Sequence, residues 1–206
     1  MIEELDLLKK DWKKSESSFQ QISESEIYKM IHKKSSSIVK WILIISVLEF
    51  IFLRGLDFLI LFDADYTKKM EQIHLYDFEI ILTVFNYVVL IVFIYLFYKN
   101  FKRINAASST KKLMDDILNT RKIVKYYVWY NLFLVGVSSA IAVFSEIKYN
   151  PQLASMYESN KVILFLLSLG IVLVLFVVFW LFYKLLYGIL IRRLHKNYTE
   201  LKKIDF

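Results

Sequence analysis

Cysteine is absent from the 206 residues, proline occurs once and glycine only four times. Without a thiol there is no disulfide framework, no thiolate metal site and no cysteine nucleophile. With so little proline and glycine, the usual helix breakers are missing over long stretches. Histidine is nearly as scarce. His32, His74 and His195 are too few and too scattered for a diiron or zinc centre, so neither a metal nor another cofactor is expected. The chain also lacks HExxH, GxGxxG, a P-loop and a nucleophile elbow, and this argues against an enzyme.

What the chain has in excess is apolar residue: 57% hydrophobic and 17% aromatic. The stretch from Ile38 to Phe62 is apolar on every side and long enough for a membrane span, since about 20 residues at roughly 1.5 Å each cross a bilayer core of about 30 Å. Three more runs follow, giving expected spans at about 38–62, 78–98, 124–144 and 162–184. The fold class predicted is all-α, an integral membrane four-helix bundle with cytoplasmic N-terminal helices. Residues 1–37 form the cytoplasmic segment, 38–191 the bundle and 192–206 a basic tail. Orientation follows from the cations. Of the 27 Lys and Arg, 22 fall in the two termini and the middle loop, four in the other two loops, and Arg54 within the first run. This bias puts both termini on the cytoplasmic side of a multi-pass protein. The charged start MIEELDLLKKDWKK is unlike a cleavable signal. A base composition favouring Lys, Ile, Phe, Tyr and Asn is consistent with a bacterial source, and hence with the inner membrane.

Charges inside an apolar run mark the places where chemistry or packing is concentrated. Glu49 lies roughly 12 Å into the first span, near the midplane. Arg54 and Asp57 are three residues apart and can touch directly. With Asn86 and Asn131 from other spans, Glu49, Arg54 and Asp57 make up the expected intramembrane polar cluster. One reading is a proton or cation relay, which would make the protein a small transporter or channel. The other, favoured because no second deep acid accompanies Glu49, is an interhelical clamp that fixes packing. Trp41, Tyr66, Tyr126, Trp129, Tyr157, Trp180 and Tyr183 fall near span ends, where interfacial anchoring is the default role.

Outside the spans, Ile2, Leu5, Leu8 and Trp12 recur at helical spacing and form an apolar face that needs a partner. Ser23 and Glu26 have the spacing of a capping box that would open a helix leading into the first span. The middle loop from Thr110 and the tail after the fourth span also read as helical, so a basic helical layer is expected beneath the bilayer. Ile38-Val39-Lys40 recurs as Ile123-Val124-Lys125, and Leu96-Phe97-Tyr98-Lys99 as Leu181-Phe182-Tyr183-Lys184. Two duplicated hairpins would produce this offset, and so would chance matching among apolar residues.

The opening EELDLLKKDWKK, the segment EIYKMIHKKSSSIVKWILIISVLEF and the four-span layout resemble a group of small bacterial inner-membrane proteins. Automatic labels sometimes call that group β-carotene monooxygenase, and its members are often encoded beside sigma factors. The oxygenase label does not carry over, because those enzymes hold iron with four histidines and this chain has three. The gene neighbourhood of the group implies a membrane-tethered regulator resembling an anti-sigma factor, although the zinc-binding His and Cys pattern of the best-known anti-sigma domain is missing. The expected function is therefore a regulatory or scaffolding membrane protein. Its partners would be the lipid bilayer and a cytoplasmic protein such as a sigma factor, with self-association left open and no direct binding of nucleic acid. Reporter fusions at residue 110 and at the C-terminus should read out from the cytoplasm, and a fusion at residue 70 from the opposite side. The same compartment for residues 70 and 110 would refute the topology.

Overall fold

A computed structural model describes residues 23–61 and 63–204, so the apolar face of Ile2, Leu5, Leu8 and Trp12 lies outside the described residues. Within them the chain is helical, with no strand. The elements are α1 (Glu24–Leu61), α2 (Ala64–Gln72), α3 (Tyr76–Asn105), α4 (Thr110–Tyr149), α5 (Pro151–Ser159), α6 (Lys161–Leu186) and α7 (Gly188–Ile204). Four of these, α1, α3, α4 and α6, are long and apolar enough to cross a membrane.

Local sequence explains where the helices begin. The backbone N–H of Ser23 donates to Glu26 Oε2 at 3.1 Å and that of Glu26 donates to Ser23 Oγ at 3.3 Å, the reciprocal bonds of a capping box. From there α1 meets no proline and continues through the apolar run for 38 residues. The α4 helix begins at Thr110, and its cap is Ser109, whose hydroxyl accepts from the Lys112 N–H. The two loops expected opposite the termini contain short helices. Asp63 caps α2, and Asn150 caps α5 with Pro151 in the first turn. Between α2 and α3, His74 adopts a left-handed φ of 56°. Bonds from the His74 N–H to the Glu71 carbonyl and from the Leu75 N–H to the Met70 carbonyl close this end in a Schellman motif without glycine. Lys69 pairs with Glu146 at 2.8 Å, tying α2 to the end of α4 and holding the Glu146 carboxyl below the usual carboxylate range.

At about 1.5 Å per residue, α1 and α4 are about 57 Å and 60 Å long, roughly twice the thickness of a bilayer core. Their surplus length builds a second packed layer. Buried residues of α1 fall at Ile31, Ser35, Val39, Ile42, Ser46 and Glu49, and those of α4 include Leu113, Ile117, Thr120, Val124, Tyr127 and Asn131, with Asp116 and Leu132 beside them. Both series advance by three or four residues, one face of a helix. Five buried pairs share the spacing of 85: Ile31 with Asp116, Ser35 with Thr120, Val39 with Val124, Ile42 with Tyr127, and Ser46 with Asn131. The helices that follow do not repeat this agreement, since Phe97 and Ile104 are buried while Phe182 and Ile189 are exposed.

Two apolar cores result. One joins Ile31 and Val39 of α1, Ile104 at the end of α3, Leu113 and Ile117 of α4, and Leu194 and Leu201 of α7. The other contains Ile42, Leu90, Phe97, Val124, Tyr127, Leu132, Tyr183 and Tyr187. The first is stitched by polar bonds as well. His32 Nε2 donates to the Ile104 carbonyl at 2.7 Å and the Tyr28 hydroxyl to the Ala107 carbonyl at 3.1 Å, so two carbonyls at the end of α3 find donors on α1. Asn197 on α7 donates to Ser35 Oγ at 3.0 Å in a buried bond. In the opposite direction α1 has no buried residue between Phe50 and Ile60, and α6 buries only Leu164 among residues 161–182. Packing is therefore concentrated at the end where α7 lies.

Leu194 and Leu201 are fully enclosed by this arrangement. Leu194→Ala and Leu201→Ala should each destabilise the folded chain by about 2–5 kcal/mol, the usual cost of a buried leucine truncation. Thermal unfolding in detergent or nanodiscs measures it, and an unchanged midpoint for both would contradict the docking of α7.

Candidate functional site

Glu49 is the deepest ionisable group in the apolar part of α1, and it is 7% exposed. A carboxylate moved out of water without donors costs several kcal/mol, so its surroundings must supply them. They come from the far end of α6. The Tyr183 hydroxyl donates to Glu49 Oε1 and the Tyr187 hydroxyl to Oε2, each at 2.7 Å. Tyr127 of α4 brings a third hydroxyl to the same carboxyl. The rings pack against one another, Tyr127 edge-on to both Tyr183 and Tyr187 with centroids 6.2 Å and 5.5 Å away. Phe93 and Phe97 of α3 close on the other side of Tyr127 at 5.3 Å and 5.5 Å. One carboxylate thus connects α1 to α4, α6 and, through the aromatic rings, α3. Its tyrosine partners flank Lys184, where the fourth apolar run ends, so Glu49 lies toward the basic end of the helices rather than half-way along them.

The other residues of the expected polar cluster are distributed around this point without converging on it. Arg54 pairs with Asp57 at 2.5 Å along its own helix and lies over the Tyr87 ring at 4.9 Å, while its Nε has no partner. Asn86 accepts a hydrogen bond from the Tyr130 hydroxyl at 3.2 Å, linking α3 to α4. Asn131 donates to the Tyr127 carbonyl one turn earlier in its own helix, at 2.9 Å. Ser138, Ser139 and Ser168 likewise bond to carbonyls of their own helices, the way such side chains satisfy themselves in apolar surroundings.

Tyr183 departs from the sequence expectation. Taken from its position as an interfacial anchor, it is 2% exposed and holds Glu49. Sequence reasoning also passed over Tyr127 and Tyr187. A signal was available: Tyr183 and Tyr187 are four apart and so share one helix face, and Tyr127 lies 85 residues after Ile42, in the register that α1 buries. A second polar group went unnoticed in the layer beyond the apolar runs. Asn119 donates to Asn100 at 2.9 Å, and Asp116 Oδ2 is buried with no partner, so that burial raises its carboxyl above the ordinary range against the pull of Arg103 and Lys112. Among the described residues no three His, Asp or Glu side chains come together as metal ligands would.

Glu49 lines neither of two sizeable cavities between the helices. One, of about 640 Å³, lies between α4, α5 and α6 with Phe144, Ile147 and Phe165 among its walls. The other, of about 580 Å³, lies between α4, α6 and α7 and is bordered by the outer sides of Tyr183 and Tyr187.

A family model described as a domain of unknown function (DUF8845) matches residues 25–206. No curated protein and no solved structure matches the chain.

The Glu49 arrangement makes a quantitative prediction. In a double-mutant cycle of Glu49→Gln and Tyr187→Phe, the two changes should couple by about 0.5–2 kcal/mol, the range of interhelical hydrogen bonds in apolar surroundings. Additive losses of stability would mean that the two side chains do not act as a pair.

Proposed function

The chain belongs to the DUF8845 family, and we propose that it is a four-span inner-membrane protein of regulatory or scaffolding type, acting through a cytoplasmic partner. In this reading α1, α3, α4 and α6 cross the bilayer with both termini in the cytoplasm, and α2 and α5 lie on the far side. The distribution of Lys and Arg along the sequence supports the orientation, with 22 in the two terminal segments and the α3–α4 connection. The matching burial of α1 and α4 supports an origin in two like hairpins, later diverged in their second helices.

The observation that carries the functional reading is the tyrosine enclosure of Glu49. Both carboxylate oxygens accept hydroxyl bonds inside a packed aromatic cluster. A group engaged in this way is a tie between helices. That favours scaffolding over the alternative of a transporter or channel, which would need Glu49 to face a path for ions. The tie holds α6, and with it α7, against α1 and α4. The surface it stabilises is the cytoplasmic layer made of α7 and the near ends of α1, α3 and α4, with the apolar face of Ile2, Leu5, Leu8 and Trp12 attached by sequence to the start of α1. An apolar face of that kind at the edge of a basic layer suits a protein partner, with a sigma factor the one that the sequence resemblance suggests.

The test removes the proposed contact while leaving the packed layer whole. Deletion of residues 1–22 should preserve insertion and thermal stability but abolish recovery of the cytoplasmic partner after crosslinking in native membranes. Recovery at the full-length level would remove the basis for the reading.

A further inference from the structure

The cavity between α4, α6 and α7 carries a charge pattern that the fold does not use. Arg121, Lys122 and Lys125 border it from α4 and Lys184 from α6, and no acidic side chain lines it. Among the described residues none of the four has an acidic partner. Arg121 and Lys125 are four residues apart and Lys122 and Lys125 three, so like charges face one another a turn apart, an arrangement that destabilises a helix unless an anion relieves it. Arg121 donates from Nη1 to Nδ1 of His195 at 2.9 Å, which holds the guanidinium in place without neutralising it. Its Nε is buried and lacks any partner.

The remaining walls are of a different character. Trp129 and Trp180 stand on the side toward the apolar stretches of α4 and α6, 59% and 42% exposed, and Val128 lies beside them. Lys184 extends over the Trp180 ring with Nζ 4.4 Å from its centroid. Indole rings at this level are the usual markers of the boundary between headgroups and acyl chains. A cavity of about 580 Å³ with cations toward one end and indoles toward the other, along both helices, therefore has the chemistry of an amphiphile with an anionic phosphate. Inorganic phosphate would engage the cations but leave the apolar wall without a partner.

We propose that this cavity is a binding site for the headgroup of an anionic phospholipid, its phosphate held by Arg121, Lys122, Lys125 and Lys184 and its glycerol end against Trp129 and Trp180. The proposal rests on the reading that α4 and α6 cross a bilayer. It goes beyond that reading in assigning a specific lipid contact to one cleft. Lipid bound there would touch the outer sides of Tyr183 and Tyr187, whose hydroxyls hold Glu49, so occupancy would brace the joint between α6 and α7.

The experiment uses the full chain with Trp12→Phe and Trp41→Phe, which leaves Trp129 and Trp180 as the only fluorophores of their kind. It is placed in phosphatidylcholine nanodiscs doped with an equal, low mole fraction of either brominated phosphatidylglycerol or brominated phosphatidylcholine. Quenching by the brominated phosphatidylglycerol should exceed that by the brominated phosphatidylcholine severalfold, and Arg121→Gln combined with Lys125→Gln should reduce it to the phosphatidylcholine level. Equal quenching by the two lipids in the chain with native cations would overturn the headgroup site while leaving the membrane reading intact, and this comparison needs no charge variant to fold. No quenching by either lipid would overturn the membrane reading as well. Loss of the excess on adding millimolar inorganic phosphate, at constant ionic strength, would show that the cavity takes phosphate from solution and would overturn the assignment to lipid.

Discussion

An ionisable group among apolar helices has to find its hydrogen bonds inside the protein, because the surroundings offer none. Glu49 meets that requirement with tyrosine hydroxyls from α6 and α4, and the choice of donor matters. A lysine or arginine would introduce a second charge to be buried. A serine would need the helices to approach more closely than the rings of Phe93, Phe97 and Tyr127 allow. Tyrosine supplies a long apolar body that fills the interhelical space and a single donor at its tip. The same side chains are thus the packing and the polar satisfaction of one core, and a change in any of them disturbs both.

From this joint the rest of the architecture follows in one direction. Beyond Glu49 toward the termini, α1 and α4 keep burying a residue every three or four positions, and α7 returns to cover them with Leu194 and Leu201. Toward α2 and α5 burial falls away, and most apolar side chains of α6 are exposed. In water this imbalance would be costly, at about 25 cal/mol per Å² of exposed apolar surface. In a bilayer it costs little, because lipid tails are as apolar as the side chains they touch. The uneven packing and the bilayer reading therefore support each other: the end built like a soluble bundle is the end that the distribution of Lys and Arg assigns to water.

Much of this was legible in the sequence, and what was not can be traced to specific residues. The apolar runs and the lack of breakers predict helices, and the structure has one long helix over each of the four runs, although α1 and α4 begin well before the expected spans. The spacing of Ser23 and Glu26 reads directly as a cap, because capping is decided within four residues. Arg54 and Asp57 were legible for the same reason, being neighbours on one helix. The partners of Glu49 were only partly so, through the spacing of Tyr183 and Tyr187. They lie 134 and 138 residues away, and no local rule ranks one tyrosine near a span end as buried and another as interfacial. Nor could Asn131 be foretold to bond its own helix rather than a neighbour, since both options satisfy the amide. The short helices α2 and α5 escaped notice because nine residues carry too little periodicity, and their caps alone declare them.

Helix length adds one more argument. A protein that only needed to cross a bilayer would stop α1 and α4 near 20–25 residues. These helices instead run without interruption into the basic layer, 38 and 40 residues in all, so the packing of that layer and the packing around Glu49 belong to the same rigid rods. The junction between α6 and α7 is at Tyr187, which also donates to Glu49. There the Tyr187 N–H still donates to the Tyr183 carbonyl and the Ile191 N–H to the Tyr187 carbonyl, so one residue joins the two helices through its backbone and holds Glu49 through its hydroxyl. A perturbation of the carboxylate therefore acts on the junction from which α7 leaves the apolar helices, and so connects the buried acid of α1 to the packed layer that α7 covers.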